Sequence, residues 1–159
     1  MANTYTQMIV QLVLAVQGRK NLIKTDNRDE LEKYICGIIR NQKCKPLTLY
    51  CNPDHIHILL GLHPAKAVSD LVRDIKTAST NFINTKNWIS TKFNWQEGFG
   101  AFTYSKQSID SVAKYILNQP EHHKKRTFKE EYLSMLQDFE IVYNELYLFD
   151  WIDLSSLQG

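Results

Sequence analysis

The order of strand-like and helix-like periodicities constrains the fold of this chain more than any other feature of its sequence. The even positions from residue 8 to residue 16 are apolar and glutamines fall on odd ones, so residues 6–17 are predicted to form a strand with one buried face. Two further strands are predicted at residues 46–51 and 55–63. The Asn52-Pro53-Asp54 segment between them favours a tight turn, so these two strands should form a hairpin.

Two amphipathic helices are predicted around this hairpin, one before it and one after it. The first should run from about residue 28 to residue 42, because Asn27 and Glu30 have capping-box spacing and apolar residues follow at helical intervals. The second carries an apolar stripe over residues 68–83, with charged residues placed off the stripe. A stretch rich in aromatic residues and glycine then leads to a short strand at residues 102–104.

Two more helices are predicted towards the C-terminus. The third presents a short apolar stripe from residue 109 and is expected to close at Pro120. Thr127 and Glu130 have capping-box spacing and predict a fourth helix with one apolar side. The order strand, helix, strand, strand, helix, strand is that of a ferredoxin-like α+β sandwich, in which helices cover one face of an antiparallel β-sheet.

The size and composition of the chain favour one domain. A chain of 159 residues, 43% hydrophobic and 23% charged, can bury a core of its own. We expect a single domain over residues 1–159, with a core at about 4–140 and a C-terminal aromatic tail at 141–159. The chain has no apolar run of about 18 residues, so we expect no membrane span and no membrane partner.

Cysteine usage and net charge say less about function. The three cysteines Cys36, Cys44 and Cys51 form no CxxC pair, so reduced thiols in a cytoplasmic protein are the simplest interpretation, with a structural zinc site as a minor alternative. A net charge of +2 is too small to establish a nucleic-acid partner.

The predicted strand at residues 55–63 carries histidines on one face. His55, His57 and His63 alternate with apolar residues, so they should project from the same side of the sheet. His55 and His57 are close enough along the strand to bind one metal ion through one nitrogen each. The alternative is a pair of half-exposed histidines that hydrogen-bond to their neighbours.

The third predicted helix places a phenol and an amide on one flank. Tyr115 and Gln119 are four residues apart, so both can face the same site. From this spacing alone, ordinary packing of the tyrosine at the edge of an apolar stripe is the more common outcome.

Taken together, several ordered motifs of this chain resemble the single-tyrosine HUH transposases of Insertion Sequence 200/605 elements and their relatives associated with repetitive extragenic palindromes. The resemblance covers most of the chain. The motifs are His55-Ile56-His57, then Trp95-Gln96-Glu97-Gly98-Phe99-Gly100-Ala101-Phe102, then Tyr115-Ile116-Leu117-Asn118-Gln119 with His122-His123. The roles of His63, His122 and His123 stay unassigned.

This resemblance implies a function and a set of site residues. His55 and His57 would be metal ligands, Gln119 would be a third ligand, and Tyr115 would be the nucleophile. The cofactor would be Mg²⁺ or Mn²⁺, and the enzyme would cut and rejoin single-stranded DNA bearing a hairpin through a 5′-phosphotyrosine. The resemblance also implies a homodimer, in which active sites can be shared between subunits.

DNA binding by such an enzyme needs cations for phosphates and aromatic rings for unpaired bases. The candidate cations are Arg73, Lys76, Lys124, Lys125 and Arg126. Trp95, Phe99 and Phe102 are weaker candidates for stacking, because core packing is the more common role of such rings.

Three other functions remain open from the sequence. One is another HUH nuclease, such as a relaxase or a replication initiator. The second is a ferredoxin-like nucleic-acid-binding module without catalysis. The third is a metal-dependent phosphodiesterase that uses activated water and leaves no protein on the DNA.

Overall fold

A computed structural model describes residues 3–149 of the chain as one antiparallel β-sheet with helices packed against it. The sheet has the strand order β2-β3-β1-β4. The strands are β1 (Ile9–Ala15), β2 (Lys45–Cys51), β3 (His55–Gly61) and β4 (Gly100–Tyr104), and the helices are α1 (Thr25–Asn41), α2 (Val68–Lys86), α3 (Ile109–Leu117), α4 (Gln119–His122) and α5 (Phe128–Asp138). This order and the antiparallel pairing confirm the expected ferredoxin-like α+β fold.

Helices α1 and α2 cover one face of the sheet and form the larger core. Alternate residues of β1 and β3, such as Leu12 and Ile58, point towards Ile35 of α1 and Ile75 of α2. All four side chains are fully buried, which is the packing that the apolar stripes of both helices predicted.

The opposite face is also covered, so the prediction that β1 has one buried face is wrong. Every residue of β1 is buried, including Gln11. Helix α5 packs Phe128 and Tyr132 against Val13 of β1, and α3 packs Ile116 against Leu59 of β3. Because helices lie on both sides, a polar group on this face must find its partners inside the protein.

Two predicted helix boundaries on this chain are wrong. Helix α1 begins at Thr25 with Lys24 as its N-cap, and the Asn27 N–H bonds to the Lys24 carbonyl, so no capping box forms there. Pro120 does not close the third helix, because α3 ends at Leu117 and Pro120 lies in the first turn of α4. A proline is tolerated there because the first turn leaves its N–H groups unpaired.

Other local expectations are confirmed. The Thr127 hydroxyl accepts the Glu130 N–H at 3.2 Å and caps α5. The Asn52 N–H bonds to the His55 carbonyl at 2.8 Å, which closes the β2–β3 hairpin. Strand β3 ends at Gly61, however, so His63 lies beyond the strand on which it was predicted.

Two further expectations concern the C-terminal tail and membrane spans. From residue 150 onward, the expected aromatic tail at 141–159 lies outside the described residues. Over residues 3–149, the helices are all too short or too polar to cross a membrane.

Gly100 allows α5 to approach the sheet closely. A Cβ atom on Gly100 would lie 2.8 Å from the Tyr132 ring and 3.0 Å from Phe102. Both rings are buried and pack against each other, so neither can move away at low cost. This contact holds α5 against the sheet one residue away from Glu131.

We expect Gly100→Ala to lower the free energy of unfolding by about 1–3 kcal/mol, because the added methyl group overpacks this contact. Urea denaturation measures the change. Gly37→Ala is the matched control, since no atom lies within 4 Å of a Cβ there and alanine favours a helix, so its stability should rise by about 0.5–1 kcal/mol. Equal stability of the two variants would contradict the close approach of α5.

A candidate metal and tyrosine site

Strand β3 directs two buried imidazoles towards the helices α3, α4 and α5. His55 and His57 are 1% and 0% exposed, and their ring centroids are 5.2 Å apart. The Nδ1 atom of His55 lies 2.7 Å from the Asp54 carboxylate, and that of His57 lies 2.8 Å from the Gln11 amide oxygen. We assign the proton of each ring to Nδ1 from these bonds, so both Nε2 lone pairs face the site.

A third group completes this site, and sequence reasoning did not identify it. Glu131 on α5 is fully buried, and its Oε1 lies 3.0 Å from His57 Nε2 and 3.6 Å from His55 Nε2. The three candidate ligand atoms all lie within 4.8 Å of one another, which fits one divalent ion. With the assigned tautomers, the His57 Nε2 lone pair and the carboxylate face each other as two acceptors, and a cation between them would satisfy both.

A signal for Glu131 was present in the helix pattern. It lies three residues after Phe128 and four before Met135, so a carboxylate interrupts the apolar side of the predicted fourth helix. The capping-box pattern instead singles out the neighbouring Glu130. A charge on a core-facing position is rarely buried without a partner, and that rule would have identified the residue.

Gln119 also lies in the site and contacts Glu131. It is fully buried at the start of α4, and its Nε2 donates to Glu131 Oε2 at 3.1 Å. Its carbonyl oxygen accepts from Asn52 Nδ2 at 3.1 Å and lies 2.9 Å from His123 Nε2. Asn52 Nδ2 is also 3.1 Å from His55 Nε2, so a donor already faces that imidazole lone pair.

The Tyr115 phenol reaches the same carboxylate. Its hydroxyl donates to Glu131 Oε2 and accepts from Arg126 Nη2, the latter at 2.9 Å. The phenol ring stacks on His122 at 4.3 Å, and its centroid lies 6.4 Å from that of His57. The phenol and the imidazoles therefore converge within a single chain, although His57 and Tyr115 are far apart in the sequence.

The pKa values of the groups in this site depend on burial and on one another. Burial opposes ionisation of Glu131, but the imidazoles of His55 and His57, when they are protonated, outweigh burial through hydrogen bonds and charge and hold the pKa of the carboxyl well below its usual range. Burial lowers the pKa of His57 with only partial opposition from Glu131. Burial raises the pKa of the Tyr115 phenol well above its ordinary value, and the Glu131 charge raises it further. The phenol is thus a neutral hydrogen-bond donor in this arrangement.

The five cations proposed for DNA binding lie in different places. Lys76 donates to the Gln96 and Gly98 carbonyls, at 2.7 Å each, and so holds the aromatic loop. Arg73 pairs with two aspartates on α2, and Lys124 pairs with Glu121. Lys125 is exposed, whereas Arg126 turns towards the phenol.

The aromatic candidates and His63 lie away from the phenol. Trp95 and Phe102 are buried, and Phe99 packs against the larger core, in line with the core role expected for all three. The His63 ring accepts a hydrogen bond from the Ala65 N–H in an exposed turn.

Comparison with known families assigns this chain to one of them. The family described as "Transposase IS200 like" matches residues 4–119, and this chain belongs to it. A relative is the ISDra2 transposase TnpA of Deinococcus radiodurans, which is 25% identical over 120 residues, or 71% of this chain and 84% of that protein.

Two solved structures share the fold. One is a Deinococcus radiodurans R1 protein assigned as a transposase, with a TM-score of 0.60 and 21% identity over 75% of this chain and 95% of that one. The other is a REP-associated tyrosine transposase bound to a REP hairpin, with a TM-score of 0.58 and 18% identity over 98% of this chain and 94% of that one.

We expect Glu131→Gln to weaken binding of Mn²⁺ by roughly 100-fold, because the amide replaces an anionic ligand with a weaker neutral one. Isothermal titration calorimetry on the unmodified protein and on the variant measures the difference. Glu130→Gln is the matched control, since this neighbouring carboxylate is exposed and should leave the affinity unchanged. Equal losses in both variants would mean that Glu131 is not a ligand.

Proposed function

We propose that this protein is a single-tyrosine transposase that cuts and rejoins single-stranded DNA through a covalent link to Tyr115. The observation that carries the proposal is the convergence of a phenol, two imidazoles and a carboxylate at one buried point, in a chain of the IS200-like transposase family. A phenol that only filled the core would not need both a carboxylate and a guanidinium at its oxygen.

A divalent ion fits the donor set of this site. His55 and His57 offer one nitrogen each and Glu131 offers an oxygen. Gln119 lies next to them with its nitrogen on Glu131, and turning its amide over would add an oxygen to this set. Such a mixed set holds Mn²⁺ or Mg²⁺ and leaves coordination positions for phosphate oxygens. When bound, the ion would polarise the scissile phosphate and stabilise the leaving oxygen.

The two oxygens of Glu131 give the carboxylate two tasks. Oε1 faces the imidazoles, where it would help to hold the ion, and Oε2 accepts the Tyr115 hydroxyl. Attack forms a bond from the Tyr115 oxygen to phosphorus while the bond from phosphorus to the 3′-oxygen breaks. The products are a 5′-phosphotyrosine and a free 3′-hydroxyl.

The covalent link explains how strands can be exchanged. A phosphotyrosine ester retains the energy of the broken phosphodiester, so rejoining needs no ATP. A 3′-hydroxyl from another strand can attack the same ester and reverse the step, which transfers the strand. Cleavage and joining are then one reaction run in two directions.

The substrate in this proposal is a single strand with a hairpin near the cut. A solved relative of the same fold is described as bound to a REP hairpin. In this chain, Lys124 and Lys125 follow α4 directly and are exposed beside the site. Cations placed there can neutralise the phosphates that lead to Tyr115.

We also propose that Tyr115 acts within its own subunit. Its oxygen contacts Glu131 of the same chain, and over residues 3–149 the site needs no group from a partner to bring the phenol to the imidazoles. The homodimer expected from the family resemblance would then bring two complete sites together rather than build each from two chains.

We expect the unmodified protein, with Mn²⁺ or Mg²⁺ and a hairpin-bearing single strand, to form a protein-DNA band that survives a denaturing gel. Tyr115→Phe removes the attacking oxygen and should abolish the band. Tyr147→Phe is the control, because that phenol is 86% exposed on the surface and should leave the band unchanged. Cut DNA without a protein band would point to activated water, and binding without cutting would point to a non-catalytic module.

A mixing experiment tests which subunit supplies the tyrosine. Tyr115→Phe and His57→Ala proteins are each expected to be inactive, and mixing them after subunit exchange should restore no cleavage, because each mixed site lacks one group. Recovery of cleavage to about a quarter of the unmodified level would show that sites are shared between subunits, because about half of the dimers are mixed and one of the two sites in each is intact.

A further inference from the structure

The Tyr115 oxygen lies between an anion and a cation. It donates to Glu131 on one side and accepts from Arg126 Nη2, at 2.9 Å, on the other. Arg126 is fixed in the turn between α4 and α5, where its N–H donates to the His122 carbonyl at 3.1 Å. Its half-buried side chain is therefore aimed at the phenol rather than spread into solvent.

A cavity of about 240 Å³ lies beside this contact, and its lining includes Tyr115, Arg126, Gln11, Tyr104 and Ser111. This volume is about eight times the roughly 30 Å³ that a water molecule takes in the liquid, so a phosphate group fits within it. Arg126 thus faces both the nucleophile and the space from which a phosphate can reach it.

We propose that Arg126 is a catalytic residue of this transposase, which stabilises the Tyr115 oxygen during attack and a phosphoryl oxygen afterwards. This inference rests on the proposed function. It assigns Arg126 a task different from the phosphate contacts that Lys124 and Lys125 can make from the surface.

The step balances in atoms and charge. The phenol proton passes to its hydrogen-bond acceptor, Glu131 Oε2, as the Tyr115 oxygen forms its bond to phosphorus. The bond from phosphorus to the 3′-oxygen breaks, and that oxygen takes a proton from solvent water. Negative charge passes from the phenol oxygen to the phosphoryl oxygens only during attack and leaves on the 3′-oxygen. Glu131 then returns its proton to solvent, so the carboxylate is restored and no net charge is created.

The chemistry of arginine suits this position. Its planar guanidinium has five N–H donors in a fixed geometry, so it can bond the tyrosine oxygen and a phosphoryl oxygen together. A lysine has a compact charge on a flexible stem and three donors without a fixed planar geometry, so it would hold the two oxygens less rigidly. Arg126 is the cation that contacts the phenol oxygen itself, on the side opposite the Glu131 carboxylate.

The test compares Arg126→Gln, Arg126→Lys and Lys114→Gln with the unmodified full-length protein and Mn²⁺. The probe is one hairpin-bearing single strand, and two quantities are measured. The first is the single-turnover rate of covalent adduct formation at saturating DNA, and the second is the DNA affinity from fluorescence anisotropy without metal. Lys114→Gln removes the same charge from the exposed side of α3, one residue from Tyr115.

Arg126→Gln should slow adduct formation on the order of 100-fold, as for loss of one donor to a developing oxyanion, and change the dissociation constant by less than about threefold. Arg126→Lys should form the adduct at a rate between those of Arg126→Gln and the unmodified protein. The lysine variant also keeps the test valid if the glutamine variant folds poorly. Lys114→Gln should keep the unmodified rate.

Different failures can be told apart. If the unmodified protein forms no adduct, the proposed function fails and this inference fails with it. If the unmodified protein forms the adduct and Arg126→Gln does so at the same saturated rate, only the role of Arg126 is overturned. Loss of affinity without loss of saturated rate would make Arg126 a phosphate contact alone.

Discussion

The Glu131 carboxylate is fully buried, and a buried charge is stable only when it is paired and hydrogen-bonded. Its partners come from every part of the site: the imidazoles of β3, the amide of Gln119 and the phenol of Tyr115. Moving any one of these elements away would remove part of the compensation for a charge inside the protein. The same requirement that holds the elements together therefore places the proposed nucleophile and the candidate metal ligands at one point.

Packing elsewhere in the fold positions the residues of this site. The hydrophobic layer formed by α1 and α2 fixes the register of β3, because a shift of one residue would turn His55 and His57 into the core. On the other face, Gly100 lets α5 lie close enough for Glu131 to reach the imidazoles. Asp54 and Gln11 then orient the two rings from behind.

Much of this could be predicted from the sequence, and the part that could not depends on tertiary contacts. Alternation in β1 and β3 and the stripes of α1 and α2 gave the fold, since these patterns are local. The capping box at Asn27 and the closure at Pro120 were wrong because helix ends depend on nearby hydrogen bonds as much as on residue type.

In the site, too, local motifs could be predicted from the sequence and tertiary contacts could not. His55, His57 and Tyr115 lie in recognisable motifs, and the structure brings them together. Glu131 lies in no motif, and its role appears only when α5 packs over β3, through a contact between residues 74 positions apart. In the sequence, Arg126 is one of five candidate cations for DNA binding, and only the turn between α4 and α5 directs its guanidinium at the phenol.

The central claim is that one carboxylate joins the metal ligands to the nucleophile, and a crystal structure with Mn²⁺ tests it most directly through the anomalous signal of the ion. We predict one ion bonded to His55 Nε2, His57 Nε2 and Glu131 Oε1, with the Tyr115 oxygen of the same chain beside Glu131 Oε2. An ion bound to the imidazoles without Glu131, or with Tyr115 turned out of the site, would contradict it.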